Sequence, residues 1–84
     1  MRPEDILPEA ANQASINGVS IRKGTVAAFL ANARTFADTG TSSEERAIAE
    51  HHIRGALPAL RALGIFDVFE LRDTQLREWI AAQA

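Results

Sequence analysis

Arg22, Lys23, Gly24 and Thr25 close the stretch SIRKGT and raise the first chemical question. Two cations, a glycine and a hydroxyl stand just before a helical pattern. A helix N-terminus presents unpaired N–H groups and a partial positive charge, so such a corner could cradle an anion. The stretch lacks the G-x-x-x-x-G-K-[ST] spacing of a phosphate loop. Its plainer reading is a solvated basic turn with an ordinary cap, the Thr25 hydroxyl accepting a first-turn N–H.

A second group is EHHIR, residues 50 to 54. Neighbouring helical histidines point about 100° apart, so His51 and His52 are poorly placed to chelate one ion. A zinc helix of the H-E-x-x-H kind spaces them four apart. With no third ligand at helical spacing, no metal site is expected. His52 falls beside Ile48 and Ala56, which predicts a partly buried, hydrogen-bonded ring, while His51 falls at the edge of the polar face. Nucleophilic chemistry has less to work with. The chain has no cysteine, and Ser15, Ser20, Ser42 and Ser43 have no base near them in sequence. No enzymatic activity and no cofactor are expected.

The C-terminal third is rich in aromatic and apolar residues: Phe66, Phe69, Trp79 and Ile80. A domain this small needs such side chains for its core. Trp and Phe are also the residues enriched where proteins meet, so these four are the candidate interaction residues.

These groups need elements to hold them. Val19–Arg22 reads as one short strand after the Asn17–Gly18 turn signal. A full hairpin is not expected, because the preceding arm is short and Pro8 suits the first turn of a helix over PEAANQA. Val26, Phe29, Leu30, Ala33, Phe36 and Ala37 recur with helical spacing and predict a helix over 25–38. Ala27, Ala28 and Ala31 leave its remaining surface open to close approach. Ser42 and Glu45 have capping-box spacing and predict the start of a long helix over 43–63. Its core stripe is Ile48, Ala49, Ile53, Ala56, Leu57, Leu60 and Leu63. Pro58 lies within it and predicts a kink or a division into two helices. Gly64 is placed to end it. IFDVFEL, residues 65 to 71, reads two ways. Asp67 and Glu70 fit a D-x-x-E cap for a helix carrying on to the end. The composition favours a strand, which is the expectation here because VSIR otherwise lacks a partner. Asp73 caps a last helix with Leu76, Trp79 and Ile80 on one face.

The expected fold is therefore mainly α, a single small domain of three to four helices. One short two-stranded element, 19–22 with 66–71, is allowed for. Residues 1–14 form a loosely ordered N-terminal segment, and residues 15–84 form the domain. Phe29, Leu30, Ile53, Leu57, Leu60 and Trp79 are the expected core.

The 84 residues suffice for one domain, and the net charge is −2. A nucleic-acid binder ordinarily carries a basic surplus, which this chain lacks. Lys23 is the only lysine among nine basic residues. That bias towards arginine, with abundant alanine, suggests a bacterial source of high GC content. The acidic, proline-broken opening MRPEDILPEA does not resemble a signal peptide, and no apolar run is long enough to span a bilayer. A cysteine-free chain of this kind is expected in the cytoplasm. The leading functional expectation is a small non-enzymatic protein-interaction or regulatory module, with a homodimer as one form. The alternatives are a nucleic-acid-associated accessory protein using Arg22, Lys23 and Arg34, and a binder of small ligands or anions at the Thr25 helix end or at His51 and His52.

Overall fold

The computed structural model describes residues 13–16, 18–22 and 24–83. Two strands, β1 (Gln13–Ile16) and β2 (Val19–Arg22), precede four helices: α1 (Thr25–Ala37), α2 (Ser43–Leu63), α3 (Ile65–Val68) and α4 (Thr74–Ala81). The mainly helical single domain read from the sequence is the architecture observed.

The strand pairing differs from expectation. β2 pairs antiparallel with β1, in the register Gln13↔Arg22 to Ile16↔Val19. It does not pair with residues 66–71. Gly18 at φ 78° supplies the left-handed residue of the connection, so four residues on each side suffice to close the hairpin. Gln13 and Ala14 therefore belong to a strand. The rest of the helix expected from Pro8 lies outside the described residues. A two-stranded ribbon is marginal by itself. This one packs against α2, with Ile21 buried.

Gly24, at φ 87°, is the N-cap of α1. Thr25 is the first helical residue and not the cap: its hydroxyl donates to the Arg22 carbonyl at 2.7 Å. That bond ties the helix start to the end of β2. Beyond α1, the Asp38 side chain accepts from the Gly40 N–H at 2.9 Å and the Thr41 hydroxyl donates to the Thr35 carbonyl at 2.8 Å. The turn is thereby closed before α2 begins. The Ser42 hydroxyl accepts the Glu45 N–H at 3.1 Å, as the capping-box spacing requires. α2 then runs as one helix through Pro58 to Leu63 and is not divided there. Gly64 ends it at φ 80°, its N–H reaching the Arg61 carbonyl at 3.0 Å.

Residues 65–68 form a single helical turn and not a strand. The reversal at Gly64 starts the turn, and the Phe69 N–H closes it on the Ile65 carbonyl at 2.9 Å. Asp73 caps α4, accepting the Leu76 N–H at 2.8 Å.

Phe29 and Phe36 of α1, Ile53, Leu57 and Leu60 of α2, and Leu76 and Ile80 of α4 form the buried core. Leu30 and Ile48, expected inside, are 56% and 54% exposed. Trp79 packs on the core from its edge. Its ring lies 5.6 Å from that of Phe36, and the Arg54 guanidinium stands 5.3 Å from its centroid. Arg46 covers the Phe36 ring at 4.2 Å. Aromatic pairing and cation–π stacking here close the side of the core that the short α4 leaves open.

Candidate functional site

Two surfaces stand out, on opposite flanks of the core-facing stripe of α1. The first is apolar. Val26 and Leu30 lie one turn apart on α1, and both are exposed, at 37% and 56%. Opposite them stands the segment that follows α2. Gly64 turns the chain so that Ile65 and Phe66 meet α1, with the Phe66 ring edge-on to Phe29 at 6.1 Å and 78°. Past the single turn of α3, Phe69 adopts extended backbone and leaves its ring 67% exposed. Val26, Leu30, Ile65, Phe66, Phe69 and Leu71 border a cavity of about 270 Å³ between these elements. A second hollow, of about 360 Å³, lies on the α4 side of Phe66 and Phe69. Glu70 borders both, and its carboxylate receives the Arg77 guanidinium at 3.1 Å.

The four candidate interaction residues therefore separate. Ile80 is buried in the core, with one edge bordering the second hollow, and Trp79 is packed against the core. Phe66 and Phe69 border the apolar hollows. Val26 and Leu30 join them, although both belong to the helical apolar pattern of α1 and Leu30 is expected in the core. Helical periodicity finds an apolar stripe, and does not tell which edge of a wide stripe stays uncovered.

The second surface is basic. Arg22 at the end of β2 and His51, His52 and Arg54 of α2 border a cleft of about 580 Å³. Thr25 and Ala28 of α1 form its near side, and Gly55, Ala56 and Ala59 lie along α2. Ile21 draws β2 into the core, and the bond from Thr25 to the Arg22 carbonyl fixes the corner. Gly24 is exposed beside it, and Lys23 lies outside the described residues. Arg34, on the last turn of α1, does not border this cleft.

The two polar groups singled out separately in the sequence thus meet in one cleft. His52 is exposed and not partly buried, as is His51. The two rings meet edge to face, with centroids 5.7 Å apart. Arg54 is positioned by two neighbours. Its Nε donates to the Gln83 side chain at 3.1 Å and its guanidinium lies over Trp79. Gln83 in turn donates to the Trp79 carbonyl at 2.9 Å. Among the described residues, no group of three or more His, Cys, Asp or Glu is placed to hold a metal ion. No described helix is long and apolar enough to cross a membrane.

No protein family, curated protein or solved structure matches this chain.

Proposed function

We propose that this chain is a small non-catalytic interaction module acting through the apolar face of Val26, Leu30, Phe66 and Phe69, and that the partner seated there is a second copy of the chain. The observation carrying this reading is the pairing of exposed apolar side chains with an apolar hollow on one surface. In a two-fold dimer each copy presents the same patch, so the patch must be complementary to itself. Here Leu30 and Phe69 stand beside the hollow that the same residues of another copy would enter. Large apolar side chains left at an unpaired surface mark association sites in small domains. The cysteine-free sequence fits action in the cytoplasm.

Sedimentation velocity over a range of concentrations tests the proposal. The native chain is expected to pass from monomer to dimer. Leu30→Asp and Phe69→Asp each place a charge in the interface and should weaken association at least about tenfold. Both positions are exposed in the monomer, so thermal midpoints measured where the native chain is also monomeric should stay close to native. A native chain that stays monomeric at every concentration overturns the reading. So does a dimer that both aspartate variants leave intact.

A further inference from the structure

The basic cleft carries a separate inference, which does not depend on the apolar face. Its charge distribution is one-sided. Among the described residues, Arg22, His51, His52 and Arg54 border it and no acidic side chain does, in a chain whose net charge is −2. The hollow beside Leu30, by contrast, has Glu70 at its edge, and the second hollow mixes Glu70 with Arg61 and Arg77. Arg22, His51 and His52 are exposed. Arg54 is held at the rim by Gln83 and Trp79. Between these groups the walls are small and apolar: Ala28, Ala56 and Ala59. At about 580 Å³ the cleft falls within the size range of small-molecule sites, roughly 300–1,000 Å³.

We propose that this cleft binds a small organic oxyanion, with the anionic head between Arg22 and the His51–His52 pair and an apolar body over Ala28, Ala56 and Ala59. Arginine and imidazole N–H groups donate to oxyanions, and charge assistance strengthens those bonds. The alanine methyls add contact area without closing the cleft. A long polyanion fits less well, because the chain lacks the basic surplus such a ligand calls for, its net charge being −2.

The test is an NMR titration with phenyl phosphate, benzoate and inorganic phosphate, following the imidazole signals of His51 and His52 and the methyls of Ala56 and Ala59. Phenyl phosphate or benzoate should bind saturably and move both sets of signals, and whichever is tighter identifies the head group as phosphate or carboxylate. Inorganic phosphate, which leaves the alanine walls uncovered, should bind more weakly than phenyl phosphate. Arg22→Ala should raise the dissociation constant about tenfold, and His51→Gln with His52→Gln should do the same. These positions are exposed, and an unchanged thermal midpoint without ligand would confirm that the variants fold. Ring signals unmoved by either aromatic anion would overturn the proposal. It would also fail if the substitutions left affinity unchanged or inorganic phosphate bound as tightly as phenyl phosphate. Preference for a single-stranded oligonucleotide over both aromatic anions would replace it with a nucleic-acid site.

Discussion

At the scale of single residues, burial decides what a substitution costs. Ile53 in the middle of α2 and Leu60 in its last turn are both 0% exposed. Truncating either removes buried methyl groups and leaves a cavity the surrounding helices cannot fully close. Ile53→Ala or Leu60→Ala should each cost about 2–5 kcal/mol, read as a drop in the urea midpoint. Leu30→Ala, on an exposed position of α1, should change stability by less than about 1 kcal/mol. The same leucine is expected to matter to association, so the two measurements separate packing from recognition. Asp73, only half-buried, is costly to replace for a different reason. Its carboxylate accepts the Leu76 N–H at 2.8 Å, and Leu76 is a core residue. Asp73→Ala should cost about 1 kcal/mol through the lost cap. In a domain of this size that lowers the thermal midpoint by about 4–8 °C.

At the scale of elements, α2 organises the molecule, and its sequence contains two residues poorly suited to a helix interior, Gly55 and Pro58. Gly55 lies in the helix interior, and a Cβ added there meets nothing within 4 Å. Gly55→Ala removes backbone freedom from the unfolded chain without a clash, and should stabilise by about 0.5–1 kcal/mol in a thermal melt. Gly64 is the opposite case. Its φ of 80° is a left-handed conformation, and a Cβ there would stand 3.4 Å from the Asp67 carboxylate. Gly64→Ala should destabilise by about 1–2 kcal/mol.

The helices were legible because each combined a periodic apolar stripe with a stop or start signal. Ser42, Gly64 and Asp73 mark boundaries by local hydrogen bonding and backbone sterics, which the sequence displays directly. The strand pairing was not legible in the same way. Residues 65–71 have the composition of a strand, but the reversal at Gly64 commits the next four to a helical turn. The true partner of β2 was the adjacent arm, whose four residues had been assigned to a helix and a turn. Arg22 and the histidines were each visible as candidates. Their meeting in one cleft depends on how β2 packs against α2, a tertiary fact that no local pattern encodes. Leu30, expected in the core, stays exposed for a related reason. The stripe on α1 is wider than the surface that α2 and α4 cover.

At the scale of the whole molecule, the two surfaces should respond to salt in opposite ways. The apolar face is built from Val26, Leu30, Phe66 and Phe69, so its association depends on removing hydrocarbon from water. Sodium sulfate strengthens that effect, and the sedimentation midpoint should move to lower protein concentration as sulfate rises. The cleft works through exposed charges, whose attraction falls once the screening length drops below about 10 Å near 0.1 M salt. Its affinity for phenyl phosphate should fall across a sodium chloride series from low to moderate ionic strength. Chloride suits the cleft measurement because sulfate is itself an oxyanion and would compete directly. The variants should divide along the same line. Leu30→Asp should abolish the dependence of sedimentation on concentration while leaving the phenyl phosphate titration near native. Arg22→Ala should weaken the titration while leaving the dimer near native. If either substitution moved both readouts, the two surfaces would be coupled through α1, which contributes side chains to both.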